Sequence, residues 1–211
     1  MSPSDAVTLV AAAFGAFFGA WLAFLLEERR RKRVEADRRY YCLLQAQLAL
    51  GMQREKLLNI QRGYLDLHRE EPDRHMRLEP LFMSMDDLRV DFPPLVFVAE
   101  AFGFGIVQTL YLAEQGYITA TSALAKSNGM IEKRLAGGPL DSEAGGAVAV
   151  FDSSAEASLK GFIDDLYCSV DGAIDSMGAA IDELTSVTRK LYPERKAHHF
   201  ELPAEDSGRC R

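Results

Sequence analysis

The sequence predicts an all-α protein: a single N-terminal transmembrane helix followed by a cytoplasmic antiparallel helical bundle of three long helices. Three observations carry this expectation. Residues Val7 to Leu26 form an uncharged run of twenty residues that is followed at once by Glu27-Glu28-Arg29-Arg30-Arg31-Lys32-Arg33. Three later stretches repeat apolar residues at three- and four-residue spacing, and no strand-like alternation of useful length occurs.

The apolar run matches one bilayer crossing, because a hydrocarbon core of about 30 Å takes roughly 20 residues at a 1.5 Å rise. Basic charge follows the run and is missing before it, where Asp5 stands. That order opposes a cleavable signal peptide, which needs a basic segment first. It also orients the chain, since basic flanks stay inside. Residues 1–6 are expected outside, 7–26 in the membrane and 27–39 as a basic juxtamembrane segment. Residues 40–192 are then the cytoplasmic bundle and 193–211 a disordered tail.

Within the run, Ala11, Gly15, Gly19 and Ala23 recur every four residues and share one helical ridge. Small residues so placed let two membrane helices approach closely, so the ridge predicts self-association. Arg29, Arg30, Arg31, Lys32 and Arg33 are expected to contact anionic lipid.

Charge is divided along the chain. Residues 1–39 hold 7 of the 24 basic and 5 of the 31 acidic residues, which leaves 17 and 26, a net −9, for residues 40–211. An acidic body excludes nucleic acid as the expected partner. Cys42, Cys168 and Cys210 are scattered without metal-ligand spacing, as reduced thiols are, and the adjacent His198-His199 do not converge on one ion. No metal and no cofactor are expected.

The first cytoplasmic pattern is Leu43, Ala46, Leu50, Gln53, Leu57, Ile60, Tyr64 and Leu67, widened by Leu44, Leu48, Leu58 and Leu65, with a stop expected near Glu71-Pro72. Pro72, Pro80 and Pro93-Pro94 then punctuate a connector holding a short helix over Ser84 to Val90. The second pattern, Ile106, Leu110, Ala113, Tyr117, Ala120, Leu124, Ser127 and Ile131, ends at Gly137-Gly138-Pro139. A loop over residues 139–152 leads to the third: Leu159, Ile163, Leu166, Val170, Ala173, Met177, Ala180, Leu184, Val187 and Leu191. Ser153-Ser154-Ala155-Glu156 precedes it as a capping box, and Tyr192-Pro193 closes it. Its opposite face carries Asp164, Asp171, Asp175 and Asp182, expected to be solvated. Leu95 to Leu112 has Glu100 as its one charge, so a second crossing competes with a helix buried in the bundle; the missing basic flank and the cost of Glu100 in lipid favour the buried helix.

Phosphate loops, nucleophile elbows and zinc-protease helices are absent, and Gly103-Phe104-Gly105 lacks the third glycine of a dinucleotide motif. Arg62-Gly63-Tyr64-Leu65-Asp66-Leu67-His68 resembles the Arg-x(4-6)-His motif of HEPN ribonucleases, small helical bundles that act as dimers. The resemblance covers those two positions and the helical class. It implies that Arg62 and His68 of two subunits meet an RNA phosphate, His68 as acid or base and Arg62 as charge stabiliser.

The balance of these readings is a non-enzymatic protein, anchored in a bacterial inner membrane by one pass with its N-terminus out. Its bundle is expected to form a homo-oligomer or to dock an unidentified protein partner. The alternative is an oligomeric, membrane-disrupting or pore-forming effector, which resembles the general plan of small membrane-anchored accessory proteins in prokaryotic immune systems. A HEPN-like ribonuclease comes third.

Overall fold

The computed structural model describes residues 3–81, 89–136 and 153–195, with backbone alone at 3–13, 136 and 153–155. The described residues are helical and contain no strand. Among the described residues five α-helices follow one another: α1 (Pro3–Ile60), α2 (Arg74–Arg77), α3 (Val96–Phe102), α4 (Phe104–Ala136) and α5 (Ser153–Leu191). Most of the predicted 84–90 helix, the Gly137-Gly138-Pro139 stop, the 139–152 loop and the tail from 196 lie outside the described residues. By internal contacts the chain divides into two units, Met1–Cys42 and Leu43–Arg211.

The first unit is helical backbone from Pro3 onward, which takes in every residue of the Val7–Leu26 run. Among the described residues no helix is long and apolar enough to cross a membrane. The described side chains begin at Phe14, and Phe14 to Leu26 is thirteen residues, about 20 Å of helix against a core of about 30 Å.

The second unit is built on the three periodic faces. In α5 every patterned residue from Leu159 to Val187 is buried, and in α4 every one from Leu110 to Ile131. The helices α4 and α5 are in close contact at Gly116, where an added Cβ would lie 3.3 Å from Ser176 Oγ and 3.5 Å from Ala173. Lys126 Nζ stands 4.0 Å from the centroid of the Phe162 ring. Since 116 faces 173–176 while 126 faces 162, the two helices run antiparallel. The second-unit part of α1 faces both: Gln53 Nε2 donates to Glu114 Oε2 of α4 at 2.8 Å, and Gln47 Nε2 to Thr185 and Thr188 Oγ1 of α5 at 3.4 Å.

Two expectations change here. The seam of α1 holds from Leu43 through Ile60 and then shifts, because Gln61–Leu65 forms a π-helical turn and Asp66–His68 a 3-10 turn. A π turn takes in extra backbone before it closes, so Leu65 is carried into the core and Leu67 is left 66% exposed. The segment Leu95 to Leu112 is not one helix: α3 ends at Gly103, whose φ of +89° suits glycine, and α4 starts afresh at Phe104. A second crossing has no eighteen-residue helix to use. Leu95, Val98, Ala99 and Leu110 are buried, and Glu100 is exposed.

Candidate functional site

In the first unit α1 presents a dense apolar surface. Phe14, Phe17, Phe18, Trp21, Leu22, Phe24 and Leu26 are each more than half exposed, with Phe18 and Trp21 packed edge to face at a centroid distance of 5.8 Å. Gly15, Gly19 and Ala23 are exposed between them, and a Cβ added at either glycine meets nothing within 4 Å. Ala11 has helical backbone and a side chain outside the described residues. At 3.6 residues per turn, Gly15, Gly19 and Ala23 fall on one side of the helix and Phe14, Phe17, Trp21 and Phe24 on the other.

The basic residues Arg29, Arg30, Arg31, Lys32 and Arg33 are all exposed. They are not equivalent, because Lys32 Nζ is paired with Glu28 Oε1 at 2.7 Å. Both the Lys32 ammonium and its hydrogen bond hold the Glu28 carboxyl below its ordinary value. One turn further, Arg39 Nε is paired with Glu35 at 2.9 Å.

The second unit holds a cluster that spacing along the chain did not reveal. Arg69 grips Asp171 with Nη1 and Nη2 at 2.8 and 2.9 Å and donates from Nε to Asp66 at 2.8 Å. Gln61 Nε2 adds a bond to Asp171 at 2.6 Å. Arg74 pairs with Asp164 at 2.6 Å, and both guanidinium groups lie over the Tyr167 ring, at 5.1 and 4.5 Å from its centroid. The phenol of Tyr167 donates to Leu65 O at 2.7 Å. These contacts fasten the segment after α1 along α5 and correct the expectation of a solvated acidic face: Asp164 and Asp171 are partnered, while Asp175 and Asp182 are exposed. The Arg69 hydrogen bonds hold the Asp171 carboxyl below its ordinary value, and Asp171 in turn raises the Arg69 guanidinium.

The same segment is tied to α4 at two further points. Arg134 donates to His75 O at 2.9 Å and Leu78 O at 3.1 Å, and Asn128 exchanges two bonds with the Leu81 backbone. The buried His75 imidazole has Nε2 3.4 Å from Oε1 of Glu156, a residue of the first turn of α5. Tyr64 donates its hydroxyl to Glu79 O, and burial pushes that phenol up to about 12.

The HEPN-like positions do not form a constellation within the described chain. Arg62 is exposed on the π turn, and His68 Nδ1 lies 3.3 Å from Glu71 Oε2. Nor do three His, Cys, Asp or Glu side chains among the described residues gather as metal ligands.

No family model matches the chain, and no curated protein or solved structure matches it either.

Proposed function

We propose that this protein is a non-enzymatic membrane-anchored module whose α1 crosses the bacterial inner membrane once through Val7–Leu26, N-terminus out, with a cytoplasmic antiparallel bundle that oligomerises or docks a protein partner. The observation that carries the reading is the apolar surface of α1, where seven large side chains stand more than half exposed on continuous helical backbone. A contiguous exposed apolar patch of this kind marks an interaction surface. Lipid fits it because the uncharged sequence from Val7 to Leu26 has the length of a crossing and is followed at once by a basic collar.

The bundle reading is supported by the cross-helix bonds Gln53–Glu114 and Gln47–Thr185 and by the close contact at Gly116. Association of copies is assigned to the ridge of Ala11, Gly15, Gly19 and Ala23, whose glycines stand in open space.

Two measurements test this. Alkaline carbonate extraction of cell membranes is expected to leave the full-length chain in the pellet; recovery in the supernatant defeats the anchor. In a membrane two-hybrid assay, Gly15→Leu with Gly19→Leu is expected to abolish the homotypic signal, and an unchanged signal moves association away from the ridge.

A further inference from the structure

The five basic residues after Leu26 are distributed unevenly around α1. At 3.6 residues per turn Arg29, Arg30 and Arg33 share an arc of roughly 100°, on the same side as Gly15, Gly19 and Ala23. Lys32 lies on the aromatic side, and so does Arg31, about 20° from Phe24. All are exposed, yet the charges are spent differently. Lys32 is neutralised by Glu28 at 2.7 Å, and further along the aromatic side Arg39 is neutralised by Glu35 at 2.9 Å. Arg29, Arg30 and Arg33 make no ion pair or hydrogen bond among the described residues. Asp37, the next acidic residue on their side, is four residues beyond Arg33 and further from the apolar run.

We infer that Arg29, Arg30 and Arg33 form a one-sided anion-binding edge for the phosphodiester headgroups of acidic phospholipid. The inference rests on the membrane-anchor reading and names the partner of that anchor's inner end. Depth selects lipid: Arg29 and Arg30 lie about 5 to 6 Å beyond Leu26 along the helix and Arg33 about 10 Å, which is the headgroup layer. Chemistry agrees, because a guanidinium donates two parallel bonds to a phosphate and keeps its charge. Each such charge near an anionic leaflet favours the acidic lipid about fivefold. The edge also bears on association through the ridge. Two parallel copies meeting there bring their unpaired arginines together, and acidic headgroups between them offset that repulsion.

Trp21 stands on the aromatic side of α1, so the reporter is moved to the arginine side by Trp21→Phe with Leu26→Trp, which keeps a single tryptophan in the chain. This full-length protein is reconstituted in phosphatidylcholine vesicles with phosphatidylglycerol as the minor component, and the quenching of its tryptophan at position 26 by brominated phosphatidylglycerol is compared with that by an equal mole fraction of brominated phosphatidylcholine. An excess of quenching by the acidic lipid is expected. Arg29→Gln with Arg33→Gln removes most of the excess, whereas Arg31→Gln with Lys32→Gln, the same charge change at the same depth, retains most of it. Circular dichroism confirms equal helix content in both variants. Equal loss in the two variants, or no loss in the first, overturns the sided edge while leaving the anchor intact. Absence of quenching by either brominated lipid defeats the anchor, and the edge with it.

Discussion

The contact between Gln53 and Glu114 makes a quantitative test of how α1 is held against α4. Gln53 is 0% and Glu114 3% exposed, and Gln53 Nε2 donates to Glu114 Oε2 at 2.8 Å. The other carboxylate oxygen is buried without a hydrogen bond, with Arg89 Nη1 3.7 Å away. Replacing Gln53 by Leu takes the donor from a buried carboxylate. The loss is a charge-assisted bond plus an uncompensated desolvation, together about 2 to 4 kcal/mol. Replacing Glu114 by Leu takes the acceptor from the buried Gln53 amide and costs about 1 to 3 kcal/mol, while the half-exposed Arg89 returns to water cheaply. Replacing both removes the donor and the acceptor together, and an apolar pair of similar volume should lie within about 1 kcal/mol of the wild type. The double-mutant cycle therefore predicts a favourable coupling of at least about 2 kcal/mol. Urea unfolding of the full chain in detergent, followed by far-UV circular dichroism, measures it. A double variant as unstable as the sum of the singles refutes the reasoning, because the two side chains would then act independently.

Three further outcomes are expected of the second unit. Arg69→Met should cost about 1 to 2 kcal/mol, a value reduced because the Arg69 and Asp171 side chains remain 31% and 37% exposed; hydrogen exchange should quicken over residues 61–81 and stay unchanged in the middle of α4. Asp171 is held below its ordinary carboxyl value, so its contribution is complete above the unfolded value of about 4 and is lost as pH falls through the lower folded value. The wild type should therefore lose urea resistance below about pH 4, and Asp171→Asn, weaker at neutral pH, should lose less over the same range. Gly103→Ala should destabilise by about 1 to 3 kcal/mol although no atom crowds the site, because φ of +89° with ψ of 167° is backbone that L side chains avoid; a thermal melt unchanged by the substitution contradicts this.

Apolar periodicity was the legible part of the fold. The patterns of α4 and α5 name most of the residues those helices bury and miss Glu114, Tyr167, Ile174 and Thr188, since a core-facing stripe repeats with the helix itself and its flanks do not. The seam of α1 became unreadable past Ile60, where a π turn changes the period, and Gly63 within Gln61-Arg62-Gly63-Tyr64-Leu65 was the local hint that regular helix weakens there. The polar contacts were illegible for another reason. Arg69 and Asp171 are 102 residues apart, and only an antiparallel return of α5 past the end of α1 makes them neighbours. Asp164 and Asp171, two turns apart on one face, form the acidic half of the pattern, but Arg69 and Arg74 lie on irregular backbone where spacing carries no direction. Of the candidate site, the ridge and the basic run were legible as composition; the division of the basic run into paired and unpaired members required the rotamers of Glu28 and Lys32.

The sidedness of α1 also separates two ways of covering its apolar surface. Phe14, Phe17, Trp21 and Phe24 are 51% to 70% exposed, and aromatic side chains of this size each leave on the order of 100 Å² in water at such exposure. At about 25 cal/mol per Å², removing the four from water yields roughly 10 kcal/mol. A dimer joined through Gly15, Gly19 and Ala23 covers the other side of the helix and leaves this term almost untouched. Lipid covers both sides, so under the anchor reading insertion draws its energy from the aromatic face while association draws on the ridge. Substitutions then divide by face: Phe17→Ser with Phe24→Ser should weaken retention in carbonate-washed membranes. Gly15→Leu with Gly19→Leu should leave retention intact and change only association, and loss of retention in the glycine variant contradicts the division.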